Sequence, residues 1–204
     1  MMKKTTNERN HGNKASSLTS NREKILIAAA RLIQEDGVAA ASLSTIAKAA
    51  EIAKGTLHYY YHSKSDLLFD LAERQASEFS RRFMELAVSP ETDRNKSEML
   101  RQIVADILSQ GSNSILIHLM LEGATGNNEL NIRFKKLYQD LSQTIKKGFL
   151  YIYPIPVTSE IADIILSGLI GLLFVTVTGN TIINPDTFIR FIKQGMEQQV
   201  KKQS

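Results

Sequence analysis

Apolar residues recur three and four apart along almost the whole chain, and no stretch alternates with period two for long enough to form a strand. Only 4 prolines and 11 glycines interrupt the 204 residues, which favours long helices over a turn-rich β fold. The predicted fold class is therefore all-α, with about nine helices. Such a length supports one domain, or a small domain fused to a larger one, and buries a sizeable core. The 43% apolar and 23% charged content fits a soluble globular chain and argues against a collagen-like, wholly disordered or multi-pass membrane protein. With 0 cysteines there is no disulfide framework, no thiolate zinc site and no cysteine nucleophile.

Punctuation divides the chain. The first ~20 residues lack an apolar run, are rich in Lys, Asn, Ser and Thr, and read as a disordered tail over residues 1–19 rather than a signal peptide. Ser20 with Glu23 offers a capping box for a helix that Gly37 stops. Ser42 or Ser44 caps a short second helix, and a third runs from Lys54 to Tyr60. Ser63 caps a fourth, from Lys64 to about Ala87, that connects the two parts. A linker spans Ser89-Pro90 to Asn95. Longer amphipathic helices then fall near 95–110, 112–124, 127–152, 158–178 and 185–200, separated by Pro154-Ile155-Pro156 and Asn184-Pro185. The domains are drawn as residues 20–63 and residues 64–204.

Charge is uneven across these parts. Residues 1–64 hold 10 Lys+Arg against 5 Asp+Glu, whereas residues 65–204 hold 15 against 16. The basic surplus belongs to the N-terminal third. It suits either a polyanion partner at that end or a solvated basic tail.

The block Leu43–Tyr61 has the pattern of a helix-turn-helix. Two helices of about two turns are joined by a three-residue turn, with Ile46, Ala47, Ile52 and Leu57 spaced to pack against each other. Small Ala47 and Ala50 let the axes cross closely. The remaining side chains suit DNA. Lys54, Gly55 and Thr56 open the second short helix, where free N–H groups favour negative charge. His58, Tyr59 and Tyr60 add aromatic donors for phosphate oxygens and rings for thymine methyls. Ser44, Thr45 and Lys48 lie on the supporting helix, which crosses the sugar-phosphate backbone in such motifs, and Lys64 starts the next helix.

Residues 22–71 resemble the N-terminal domain of the tetracycline-repressor (TetR) family of transcription regulators. The resemblance is carried by Ser44-Thr-Ile-Ala-Lys-Ala-Ala-Glu-Ile-Ala-Lys-Gly-Thr-Leu-His-Tyr-Tyr-Tyr-His-Ser-Lys-Ser-Asp-Leu-Leu68. It implies a three-helix DNA-binding head, a helical ligand-binding and dimerising body, and no enzymatic activity. Base reading would fall on Lys54, Gly55, Thr56 and Tyr59, and phosphate contacts on Ser44, Thr45, Tyr60 and Lys64. Three positions depart from the family pattern. Glu51 stands where the turn glycine is expected, at a cost of about 1 kcal/mol if its φ is positive. His58 replaces the usual tyrosine. Tyr61 replaces the core phenylalanine and needs a partner for its hydroxyl if buried.

No nucleophile with a positioned base, phosphate-cradling glycine loop or ligand triad supports catalysis. His58 and His62 are four apart, but the helix breaks near Tyr61 and no third ligand is near, so neither a metal nor a cofactor is expected. His118 and Glu122 are also four apart and read as a structural pair or as ligand contacts.

In the body, Ile103, Ile107, Leu116, Leu119, Met120, Phe134, Tyr138 and Leu141 form either a packed core or a pocket. The resemblance favours an effector cavity for an apolar small molecule, anchored by His118, Glu122 or Tyr138. The helix near 158–178 is apolar nearly all round. The uncharged run from Ile164 to Pro185 is long enough to cross a bilayer, but Gly179-Asn180 breaks it and no other span accompanies it, so it reads as a buried helix and no membrane partner is expected. Its second apolar stripe then needs another subunit. The predicted homodimer face comprises Ile164, Ser167, Gly168, Gly171, Leu172, Phe174 and Val175, with Phe188, Phe191 and Ile192 from the last helix. These features together predict a cytoplasmic, homodimeric, ligand-responsive repressor on a palindromic duplex DNA operator. The rival is a helical adaptor or enzyme body that uses the head only as a packing module.

Overall fold

A computed structural model describes residues 8–90, 93–109, 113–152, 157–179 and 184–203; side chains are described from Asn21 onward, except at 93–96, 99, 106–107, 109, 113–114, 197 and 199–203. Among the described residues there are nine helices and no strand. They are α1 (Glu8–Ala40), α2 (Leu43–Ala49), α3 (Lys54–Tyr60), α4 (Lys64–Val88), α5 (Asp93–Ser109), α6 (Asn113–Ala124), α7 (Asn128–Ile152), α8 (Ser159–Val177) and α9 (Pro185–Gln203). The all-α reading holds.

Two compact units divide the chain, residues 1–71 and 72–204. The division falls inside α4, eight residues beyond the predicted boundary at 63/64 and well before the Ser89–Asn95 linker. The reason is hydrophobic: Leu67, Leu68, Phe69 and Leu71 on the first turns of α4 are buried. A second difference concerns the N-terminus. α1 begins at Glu8, so part of the segment expected to be a disordered tail is helical and Ser20 lies within the helix instead of capping it.

The first unit is a small three-helix core completed by α4. Ile25, Ala29 and Ile33 of α1, Ile46 and Ala47 of α2, and Leu57 of α3 are all buried. α1 is interrupted at Gly37, where a stop is predicted, and the span runs on to Ala40: Gly37 takes φ 81° and ψ 167°, a backbone region open to glycine and strained for other residues.

In the second unit, α7 lies against both α6 and α8, and α5 against α8 and α9. Its core joins Phe83 of α4, Val104 of α5, Ile145 and Phe149 of α7, Ile165, Leu166 and Leu169 of α8, and Ile189 and Met196 of α9. One polar seam crosses it. Ser142 Oγ donates to Asp163 Oδ1 at 2.6 Å, and Tyr138 Oη donates to the Asp163 carbonyl at 3.2 Å and lies 3.1 Å from Ser167 Oγ.

Candidate nucleic-acid interface

The helix-turn-helix is built by local bonds. Ser42 Oγ accepts from the Thr45 N–H at 3.1 Å, and Thr45 Oγ1 accepts from the Ser42 N–H at 2.9 Å, a reciprocal capping box. Of the two candidate caps, Ser42 therefore starts α2, and Ser44 is left exposed. The same bonds occupy the Thr45 hydroxyl, so a phosphate contact from Thr45 would compete with the cap.

The turn between α2 and α3 hinges on Glu51. Its φ is 55°, the left-handed region, and among the described residues it is the only non-glycine with positive φ. The strain expected from its sequence position is present. Glu51→Gly is expected to raise the unfolding free energy by about 0.5–1 kcal/mol, the relieved strain exceeding the added chain entropy. Urea unfolding of the full chain measures it; an unchanged or lowered stability contradicts it.

Only Leu57 of the seven residues in α3 is buried. Lys54, Gly55 and His58 are exposed, Thr56 and Tyr60 are half-buried, and Tyr59 is 71% exposed. No side chain caps the start of the helix, and a Cβ built on Gly55 meets nothing within 4 Å. Tyr59 and Tyr60 meet edge to face, centroids 5.4 Å apart, so the two rings brace each other. Lys48 on α2 is exposed. Lys64 is half-buried instead, and its Nζ donates to the Val38 carbonyl, tying the end of α1 to the start of α4. His62 stands in the turn after α3, off the helix that would have paired it with His58.

Tyr61 is buried, at 5% exposure, and its hydroxyl donates to Asp70 Oδ2. Burial, with the Asp70 carboxylate beside it, holds the phenol above the ordinary tyrosine range, so it remains a neutral donor. Arg22 donates to the same carboxylate through two nitrogens, at 3.0 and 2.7 Å, and that bond raises its pKa. The sequence shows that the Tyr61 hydroxyl needs a partner. It does not show which, because Asp70 lies on the next helix and Arg22, which shares that carboxylate, is 48 residues from it in the chain.

Ser63 and Asp66 form a second reciprocal cap. Ser63 Oγ accepts from the Asp66 N–H, and Asp66 Oδ2 from the Ser63 N–H, each at 3.0 Å. α4 thereby starts one residue after Ser63, as predicted.

The residues proposed for an effector pocket do not share one environment. Ile103 and Leu119 are fully buried, and Leu116, Glu122, Phe134, Tyr138 and Leu141 are half-buried. Tyr138 and Leu141 pack on the body core. His118 and Met120 are exposed and flank the buried Ile115 and Leu119 on α6. His118 Nε2 stands 3.8 Å from Glu122 Oε2, and Glu122 Oε1 also accepts from Asn127 Nδ2 at 3.1 Å. The pair therefore links neighbouring turns of α6 to the α6–α7 connection. The Ile107 side chain lies outside the described residues.

The dimer residues divide similarly. Ile164, Ser167, Gly171 and Phe174 form an exposed stripe along α8, with Val175 half-buried beside it, and Phe191 of α9 is 70% exposed. Leu172 is buried within its own chain, because it falls on the opposite side of α8. Phe188 and Ile192 pack on the body core, and a Cβ on Gly168 would meet Phe188 Cε2 at 2.6 Å. Periodicity marks α8 and α9 as doubly apolar, but it does not say which stripe the chain covers itself.

A short exposed helix standing on a capped helix-turn-helix, in a chain that continues into a helical body, defines a helix-turn-helix protein of the all-α class. The comparisons locate a known domain in the head. Residues 25–71 match the family model described as bacterial regulatory proteins, tetR family. An HTH-type transcriptional regulator of Staphylococcus aureus (strain bovine RF122 / ET3-1) is 31% identical over 123 residues, 59% of this chain and 63% of the relative. The match therefore spans just under two thirds of that relative's length. Among solved structures, the fatty acid degradation regulator FadR from Bacillus halodurans aligns with TM-score 0.64 at 19% identity, over 85% of this chain and 93% of that one. A regulator from Saccharomonospora viridis, solved in complex with choline, aligns with TM-score 0.59 at 20% identity, over 86% and 95%. These two likenesses concern the fold. The likeness to the tetR family is shown for residues 25–71, the head of this chain.

Proposed function

We propose that this chain is a homodimeric transcriptional repressor that acts in the cytoplasm and leaves a palindromic operator when a small, mainly apolar effector binds its body. The observation that carries the DNA reading is the surface of α3. A seven-residue helix with one buried side chain offers Lys54, Gly55, Thr56, His58 and Tyr59 outward, beside exposed Ser44 and Lys48. Lys54 is exposed and Tyr59 is 71% exposed, so the core of the head calls for neither side chain. Base edges and phosphates use those groups.

Two such helices, one per protomer, would read successive half-sites. The exposed α8 stripe, with Phe191, is the surface available for the second copy. The Saccharomonospora viridis protein of this fold was solved in complex with choline, which supports a small-molecule effector here. A ligand favouring one head spacing over another would shift the population away from the DNA-bound form.

The test is binding to duplexes selected by the full-length protein from a random library, followed across ionic strength. A repressor head gives a linear fall of log affinity with log salt. A salt-independent or absent interaction would favour the adaptor or enzyme reading instead. Thr56→Ala and Tyr59→Ala are each expected to weaken selected-site binding by about 1–3 kcal/mol. Lys48→Ala is expected to weaken all sequences alike and to flatten the salt slope by about one unit. Lys48 is a cleaner probe than Lys64, whose ammonium also holds the Val38 carbonyl.

A further inference from the structure

Two side chains from separate parts of the head converge on the carboxylate of a third residue. Tyr61 closes α3, its N–H bonded to the Leu57 carbonyl at 3.0 Å. Its hydroxyl donates to Asp70 Oδ2 on α4. Arg22 on α1 donates from Nε to the same oxygen at 3.0 Å and from Nη2 to Oδ1 at 2.7 Å. The Asp70 side chain is 15% exposed and that of Arg22 is 56% exposed.

The packing of α3 gives this cluster a task. Leu57 alone anchors the helix in the hydrophobic core, and a single knob allows a short helix to pivot. Tyr61, the extended residue that closes the helix, is itself buried and is the second anchor. Its bond is directional and charge-assisted, and the bidentate arginine fixes the carboxylate that receives it. A phenylalanine would fill nearly the same volume without this directionality. Hydrogen bonds to base edges weaken steeply with misalignment, so a small rotation of α3 would carry Thr56 and Tyr59 out of reading geometry.

We propose that the Arg22–Asp70–Tyr61 clamp sets the orientation of the recognition helix, with Tyr61 and Asp70 acting as positioning residues for sequence reading that need not touch DNA themselves. The proposal rests on the DNA-binding reading given above.

The experiment measures the affinity of full-length wild type, Tyr61→Phe, Asp70→Asn and Asp70→Ala for a wild-type-selected duplex and for a scrambled duplex of equal length. Circular dichroism melts fix a temperature at which every variant compared is folded. Tyr61→Phe is expected to lower the selected-to-scrambled affinity ratio about tenfold, with scrambled binding and the salt slope unchanged. Asp70→Asn keeps one acceptor oxygen and is expected to lose less than Asp70→Ala. If Asp70→Ala does not fold, the phenylalanine variant decides the matter. A lowered melting temperature with an unchanged ratio would overturn the proposal, leaving the clamp only structural, as would no change in either. Failure of wild type to select any duplex, or to bind DNA with a salt dependence, would overturn the DNA-binding reading itself and this proposal with it.

Discussion

Gly171→Asp is expected to sediment as a monomer at concentrations where wild type is a dimer, and to lose about 10²–10⁴-fold in affinity for a two-half-site operator. The magnitude is that of losing one of two linked contacts. The position follows from the surface of α8. Its 19 residues have a mean hydropathy of 2.0, yet only 33% of the apolar window is buried within the chain. The uncovered residues include Ile164, Gly171 and Phe174 on one stripe. A stripe of that character is expected to find a second apolar surface, and a glycine at its centre permits close approach. A carboxylate placed there would be desolvated without a partner if the helices met.

The structure also makes this substitution specific. A Cβ on Gly171 meets nothing within 4 Å, so the fold of the monomer is untouched. Gly168, one turn away, would be a misleading choice: its Cβ would strike Phe188 of the same chain. Sedimentation velocity with a circular dichroism melt separates the outcomes. A folded Gly171→Asp dimer would refute the α8 interface.

Phe83→Ala is expected to destabilise the body by about 3–5 kcal/mol, the largest stability effect anticipated from a single side chain here. Phe83 is 1% exposed. Its ring stacks on Phe79 at 5.7 Å and leans on Phe149 at 5.8 Å. Its third neighbour is a backbone. Gly148 of α7 is buried, and a Cβ built there would lie 2.2 Å from Phe83 Cε1. The ring packs on the bare α7 backbone and cannot retreat, because Phe79 and Phe149 flank it.

Gly148→Ala should therefore cost about 1–3 kcal/mol by overpacking, despite alanine's better helix propensity. The two changes should couple. With the ring gone, the new methyl enters the hole it leaves, and the double variant should lose less than the sum by about 0.5–3 kcal/mol. Urea unfolding of the four proteins closes the cycle. Additive losses would show that the ring and the glycine do not share the space described.

Local chemistry made much of the architecture legible in the sequence. α3 begins and ends at Lys54 and Tyr60 as read from its pattern, and α4 begins at Lys64 because Ser63 caps it with Asp66. Gly37 interrupts α1 and Glu51 takes positive φ because each of those demands falls on a single residue. The exposed surface of α3 was legible for the same reason. A helix this short has few apolar positions, so Lys54, His58 and Tyr59 have nowhere to point but outward.

What failed to appear in the sequence involves residues far apart along the chain. Periodicity gives the angle of a side chain about its own helix axis, not the identity of the helix it meets. So it marked α8 and α9 as apolar on two sides without showing that Leu172, Phe188 and Ile192 belong to the chain's own core. It placed His118 and Met120 among pocket residues, although the face of α6 that packs is the one bearing Ile115 and Leu119. It left the Tyr61 hydroxyl without its Asp70 acceptor, and the head without the first turns of α4. The helices and their ends were determined by neighbours within about four residues. Which stripes are covered, which polar groups pair and where the units divide were decided only by tertiary packing, because those choices depend on surfaces brought together from across the chain.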